Sequence, residues 1–233
     1  MQKGSAERVK VVKTWESPFA MRVLIALEEK GISYELQEEN TRYKSQLPLQ
    51  MDPIHKQIPV FLHNGKPLAE SLIILQYIDE AWPSASPEKR FMPSTPYDRA
   101  IARFWAAFMD KKIYEAGRRI IMTKGEAQEE AKRELVESLM LIEGALKEFS
   151  GGKTYFGGET LGFLDIAFIP LTGWFYTYET LGKFKIPLED KCPCLKAWMK
   201  ACMERDSVNR LLPRPEKILK DYAIEFRKKY VRE

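Results

Sequence analysis

An α/β domain followed by an all-helical domain is the fold class the sequence predicts, and three observations carry it. Short β-branched segments and an Asn-Gly turn all lie before residue 70. Pro83, Pro87, Pro93 and Pro96 then interrupt any regular element. Beyond them the strand signal vanishes and apolar residues recur at helical spacing. The boundaries that follow are 1–86 for the first domain, 87–97 for a linker and 98–233 for the helical domain.

Val9 to Thr14 is β-branched and half apolar, as a short strand requires. Ser17 is placed to cap a helix that Pro18 opens. Ala20, Val23, Leu24 and Leu27 give that helix one apolar face, and Gly31 ends it. Tyr34 to Glu38 is a second strand, and a polar stretch from Glu39 to Met51 follows. Pro59 then precedes the apolar run Val60-Phe61-Leu62. Asn64-Gly65 supplies the positive φ pair of a two-residue hairpin, and Lys66 to Ala69 return. A helix from Leu72 to Trp82, with Ser71 as its N-cap, is apolar on more than one side through Ile73, Ile74, Tyr77 and Ile78. This β-α-β then β-β-α order is the thioredoxin-like arrangement.

In the second domain, residues 97–122 carry Ile101, Phe104, Trp105 and Phe108 at helical spacing. Residues 126–149 carry Leu135, Leu139, Ile142, Leu146 and Phe149, three and four apart, as a packed face does; Gly151-Gly152 end the run. A helix begins near Gly162-Phe163-Leu164-Asp165, with Pro170 inside it and a kink expected there. Shorter helices are expected from Leu195 to Glu204 and from Arg214 to Tyr230.

Composition excludes several classes. The 233 residues hold 37 Lys plus Arg against 33 Asp plus Glu, too slight an excess to imply a nucleic-acid partner. The first ten residues lack a signal-peptide core, and no apolar run approaches the roughly 18 residues of a membrane span. Cys192, Cys194 and Cys202 fit neither a disulfide framework nor a zinc site, since His55 and His63 are distant in sequence. Free thiols of this kind imply a reducing, cytoplasmic location and no metal.

The candidate chemistry gathers in the first domain. A cis X–Pro bond at Pro59 would turn the backbone of Ile58 outward. The helix start after Glu70-Ser71 is suited to an anion. Together they suit a small peptide bearing a carboxylate, although the same residues also serve as ordinary caps and turns. Ser17 has the same two readings: helix cap, or donor to a sulfur anion beside the Pro59 loop. A thiol of pKa about 8.5 is mostly protonated at neutral pH, and lowering it by about two units takes roughly 2.7 kcal/mol. A hydrogen bond to a charged group gives about 1.5–3 kcal/mol and a helix N-terminus roughly 0.3–1. The two together suffice, with Ser17 as a donor rather than a nucleophile.

Trp15-Glu16-Ser17-Pro18-Phe19, Arg42-Tyr43-Lys44-Ser45, the run Met51 to Val60, His63 to Pro67, Glu70 to Ile74 and Gln76 to Glu80 resemble the plant tau-class glutathione transferases. Ala102 to Trp105, Asp110 to Tyr114 and Gly162 to Ala167 extend the resemblance through the helical half, so that it covers nearly the whole chain. It implies the glutathione transferase fold, glutathione as cosubstrate without metal, and a homodimer with the Leu72–Trp82 helix as a candidate contact. It implies Ser17 as the catalytic stabiliser of the glutathione thiolate. Glutathione would be held by Ile58 and Pro59 along its cysteine, by Glu70 and Ser71 at its γ-glutamyl end, and by Lys44, with Lys56 near, at its glycine carboxylate. A hydrophobic electrophile would bind between the domains, against Phe19, Tyr114, Arg118, Ile121, Trp174, Tyr222 and Phe226. Relatives carry a tryptophan shortly after the Gly-Arg-Arg run where this chain has Ile120-Ile121, which removes a flat stacking surface. Asp165 is expected to be structural, closing a capping arrangement with Gly162.

The expected function is conjugation of glutathione to hydrophobic electrophiles, in detoxification or stress, with a glutathione peroxidase side activity. A non-catalytic carrier of apolar metabolites on the same fold is the alternative. A thiol transferase or dehydroascorbate reductase is disfavoured, because those relatives keep a cysteine where Ser17 stands.

Overall fold

The computed structural model describes residues 7–40, 57–83 and 90–231. It divides into two compact units, Met1–Ala85 and Ser86–Glu233. Lys44 and Lys56 lie outside the described residues, as does much of the proline-punctuated segment.

The first unit runs β1 (Val9–Lys13), α1 (Pro18–Lys30), β2 (Glu35–Glu38), β3 (Val60–His63), β4 (Lys66–Leu68) and α2 (Ser71–Ala81). The sheet order is β2-β1-β3-β4. β2 runs parallel to β1, whereas β3 and β4 run antiparallel to their neighbours. This is the thioredoxin-like order expected. Asn64 and Gly65 both take positive φ, 51° and 78°, and close the β3–β4 hairpin. Asn64 also exchanges hydrogen bonds with the Arg8 backbone, fastening the hairpin tip to the entrance of β1.

α1 is buried along most of its length, from Ala20 through Leu27. At its end Lys30 pairs with Asp79 of α2 at 2.7 Å, both side chains nearly enclosed. On α2, Ile74, Leu75 and Ile78 are buried, while Ile73 is 54 % exposed. The second apolar side of this helix is therefore open within the chain.

The second unit is helical: α3 (Pro96–Phe108), a π-helical stretch (Met109–Tyr114), α4 (Glu115–Met122), α5 (Glu126–Ser150), α6 (Phe163–Thr172), α7 (Phe175–Gly182), α8 (Leu188–Lys191), α9 (Pro193–Met203), α10 (Asp206–Asn209), α11 (Pro215–Ile218), a second π-helical stretch (Leu219–Ala223) and α12 (Ile224–Lys228). α3, the first π stretch and α4 follow one another without a break, and their buried stripe is Ala102, Ala106, Met109, Ile113, Ala116 and Ile120. Small and aliphatic side chains make this stripe. The aromatic set expected to pack here lies largely off it, and Phe104 is 59 % exposed. Tyr178 of α7 explains a glycine on α4: a Cβ on Gly117 would collide with the Tyr178 ring.

Buried carboxylates fix the helix ends. Asp165, fully buried, accepts from the backbone N–H groups of Phe156, Gly157 and Gly162 and from Trp198 Nε1, at 2.7–2.9 Å. Burial outweighs these four donors and pushes its carboxyl up to about 6. Glu143 of α5 accepts from the N–H groups of Cys194 and Leu195 and so closes the first turn of α9. Its hydrogen bonds from Leu195, Lys147 and Cys194 outweigh burial and lower its carboxyl.

Candidate functional site

Three segments of the first unit lie at one end of its central strands, where β1 finishes and β3 begins. The first is the turn from β1 into α1. Ser17 has extended backbone, with φ −69° and ψ 113°, and its Oγ accepts from Ala20 N at 3.2 Å. This satisfies one orphan amide of the helix start. Ser17 is mostly buried, and among the described residues its hydroxyl hydrogen has no recorded acceptor. A serine so placed is both a cap and a donor held in reserve.

The second segment is the entrance to β3. The Ile58–Pro59 bond is cis, as expected from the sequence. Val60 pairs with Val12, so Pro59 lies at the end of β1 from which the chain turns toward Ser17. The Ile58 side chain packs on Val12, Val60 and Leu62. Among the described residues no hydrogen bond is recorded for its backbone. A peptide backbone passing here would meet a donor and an acceptor that no described residue fills.

The third segment is the start of α2. The expectation that Ser71 caps this helix is corrected: Glu70 is the N-cap and Ser71 the first helical residue. Glu70 holds φ 68°, unusual for a side-chain-bearing residue and costing about 1–3 kcal/mol where it occurs. Its carbonyl accepts from Ile73 and Ile74. Ser71, freed from capping, is buried and accepts from Arg22 Nη1 at 3.1 Å.

Sequence reading missed Arg22. It is 0 % exposed, sits on α1 one turn beyond Ser17, and lies 5.0 Å from the Phe19 ring centroid. Its signal was available: a lone cation inside the apolar run Ala20 to Leu27 that breaks no periodicity only if it is buried and bonded. The buried guanidinium behind Ser71 holds the serine hydroxyl at the first turn of α2. The N-cap and opening turns of α1 thus carry Ser17, Phe19 and the residue that bonds Ser71.

In the helical unit Tyr114 and Arg118 stand one turn apart, both half-buried, and Arg118 lies 3.5 Å from Glu115. Ile121 is 2 % exposed and presents little side chain to any ligand from solvent. Its carbonyl accepts from Arg227 Nη1 at 2.7 Å, and the same nitrogen reaches the carbonyls of Ile120 and Thr123. Arg227 therefore ties the last helix to the end of α4. Trp174, Tyr222 and Phe226 come together: Tyr222 meets Trp174 edge-on at 5.8 Å and stacks on Phe226 at 5.5 Å. Phe226 continues to Tyr230 at 5.0 Å.

Cys192 and Cys194 are placed as poor nucleophiles. Burial, and secondarily Glu143, pushes Cys192 up to about 11, and the Cys194 thiol is raised by the same two causes. Among the described residues no cluster of His, Cys, Asp and Glu could hold a metal ion. No helix among the described residues is long and apolar enough to cross a membrane.

The family model for the glutathione S-transferase N-terminal domain matches residues 7–80, and that for the C-terminal domain matches 97–206. A probable glutathione S-transferase, parA, of Nicotiana tabacum is 52% identical, over 91% of this chain and 93% of its own length. Glutathione S-transferase U19 of Arabidopsis thaliana is 49% identical, over 98% and 100%. Among solved structures, a tau-class glutathione S-transferase from mango, Mangifera indica, is 43% identical over 96% and 99% of the two chains, with a TM-score of 0.87. Rice GST1 in complex with glutathione is 41% identical over 98% and 100%, also with a TM-score of 0.87.

Proposed function

The chain belongs to the glutathione S-transferase family, in its plant tau class, and from that premise we propose that Ser17 is the residue with which it stabilises the glutathione thiolate. The enzyme joins that thiolate to hydrophobic electrophiles, with glutathione as its cosubstrate. The observation that carries the role of Ser17 is its geometry: an Oγ that accepts from Ala20 N while its own hydrogen has no recorded acceptor among the described residues. With the sulfur beside it, that hydrogen would point to the anion and the first amides of α1 would add their dipole.

The remaining assignments belong to the same proposal. Ile58, beside Pro59, pairs its backbone with the cysteine of glutathione. Glu70 takes the γ-glutamyl ammonium. Ser71 takes the γ-glutamyl carboxylate, with Arg22 behind it to hold the hydroxyl and complement the charge. Lys44 and Lys56 attract the glycine carboxylate. Phe19, Tyr114, Arg118, Trp174, Tyr222 and Phe226 are proposed to meet the electrophile, with buried Ile121 shaping the site from beneath. A flat aromatic at position 121 would stack on planar electrophiles; an isoleucine does not, so flexible or non-planar electrophiles are the better substrates. Catalysis then consists of thiolate stabilisation and of holding two reactants together. The same thiolate supports reduction of organic hydroperoxides. A homodimer covering exposed Ile73, and a cytoplasmic location consistent with three free thiols, complete the reading.

The test is the initial rate of conjugation to a chlorodinitrobenzene-type electrophile by wild type and Ser17→Ala, each first shown to bind immobilised glutathione. A large loss of rate with binding retained supports the role of Ser17. Equal rates would remove it. Binding without turnover in wild type, across a panel of electrophiles, would favour a carrier.

A further inference from the structure

The turn before Ser17 holds an ionisable group that this scheme leaves unused. Glu16 is 5 % exposed, and its Oε2 is enclosed with no hydrogen-bond partner among the described residues. Thr14 and the Glu16 backbone N–H bond to the carboxyl. The charged groups acting on it are Glu38 of β2, which opposes its ionisation, and Lys13 of β1, which favours it. Lys13 is already paired with Glu38 at 3.0 Å. Burial is the largest influence and raises the Glu16 carboxyl above its ordinary value. An enclosed carboxylate with an unfilled oxygen is held at a cost, so a second negative charge placed nearby favours its taking up a proton.

Glu16 and Ser17 are consecutive, and their Cα atoms stand about 3.8 Å apart, so the Glu16 carboxyl cannot be farther than about 11 Å from the Ser17 Oγ. A sulfur anion at Ser17 therefore lies within range of the Glu16 charge. At an effective dielectric constant of about 20, two unit charges at that limit shift one another by about one pKa unit.

We propose that Glu16 and the glutathione thiol bound at Ser17 titrate as a coupled pair, so that Glu16 retains part of the proton that leaves the sulfur. The proposal rests on the assignment of Ser17 made above. The S–H bond breaks, and the Ser17 hydroxyl donates to the sulfur anion. The proton passes in part to the Glu16 carboxylate, forming a neutral acid, and for the remainder to solvent. No electrons change hands. Glu16 acts through its charge, without touching sulfur. Glutathione binding then releases fewer protons than the thiolate formed, and the pair has shared rather than separate pKa values.

The full-length protein tests this with two measurements. Calorimetry of glutathione binding near pH 6.5, in buffers of differing ionisation enthalpy, counts the protons released. The ultraviolet absorbance of the thiolate, followed against pH, gives the pKa of the bound thiol. Wild type is compared with Glu16→Gln, which keeps the shape, and with Glu16→Ala. Both variants are expected to release more protons than wild type and to lower the bound thiol's pKa by about half a unit to one unit, a roughly 3- to 10-fold gain in thiolate at low pH. An unchanged pKa and proton count would overturn the coupling. Weaker binding without a pKa change would also overturn it and leave Glu16 a packing residue. If wild type shows no thiolate band, or Ser17→Ala titrates like wild type, the failure lies in the assignment of Ser17, and the coupling falls with it.

Discussion

Replacing Asp165 by alanine is expected to unfold much of the helical unit's advantage without touching the chemistry. The magnitude follows from the four donors that converge on the carboxylate: three backbone N–H groups and the Trp198 indole. Each buried donor left without an acceptor costs about 1–3 kcal/mol, which sets a sum of about 4 kcal/mol at the low end. Water entering the space returns part of this, so a net loss of about 3 kcal/mol is expected, against total stabilities of about 5–15 kcal/mol. Asp165→Asn keeps the shape but turns an amide group toward two N–H donors, and is expected to lose about 2 kcal/mol. Urea unfolding at neutral pH, followed by helix signal and by tryptophan fluorescence, reads both losses. The specific activity of the folded fraction should not change. The titration of Asp165 adds a sign. Its folded pKa of about 6 stands above the ordinary 3.8. The stability this shift contributes is therefore fully present below about 3.8 and is lost as pH rises through 6. Wild type should lead Asp165→Asn by more at pH 4.5 than at pH 7.5. Unfolding midpoints of Asp165→Ala and Asp165→Asn equal to wild type at both pH values would refute this account of the site.

Other perturbations have equally definite outcomes. Gly117→Ala would ordinarily help a helix by up to about 1 kcal/mol, but here the new methyl meets the Tyr178 ring, so a net loss of about 1–3 kcal/mol is expected. Pairing it with Tyr178→Ala should remove the penalty in a double-mutant cycle of unfolding free energies. Arg22→Met should raise the KM for glutathione about 10-fold, equivalent to about 1.4 kcal/mol, by releasing Ser71 from its donor. An unchanged KM in a folded variant would show that Ser71 needs no such hold. Arg227→Leu removes the hydrogen bonds to the Ile120, Ile121 and Thr123 carbonyls. Backbone amides of α11 and α12 are then expected to exchange faster with solvent deuterium, while those of α1 keep wild-type protection.

Features decided by neighbouring residues could be read from the sequence. Ser17, Pro18 and Gly31 mark the two ends of α1, and Asn64-Gly65 marks the hairpin, because capping and positive φ are local requirements. Features decided by distant partners could not. Arg22 reads as an interruption of an apolar run until Ser71, far along the chain, is set beside it. Ser71 has the chemistry of a cap, yet Arg22 claims its oxygen and Glu70 takes the cap in a backbone conformation that its side chain does not advertise. Phe104 has the hydrophobicity of a core residue, but the stripe from Ala102 to Ile120 is the side that packs. The π-helical stretches Met109–Tyr114 and Leu219–Ala223 have no composition that distinguishes them from the α-helices they join.

Glu143 shows what such distant partnership means for assembly. The amides that open α9 are closed by a side chain some fifty residues earlier, on α5, and α9 has no side-chain cap of its own. A peptide cut out as Pro193–Met203 carries its apolar face with it but leaves its cap behind, and at eleven residues it is too short to hold a helix in water alone. α9 therefore depends on α5 beside it for the closing of its first turn. A segment exchange that brings in α9 without a carboxylate at position 143 would leave the Cys194 and Leu195 amides without this acceptor.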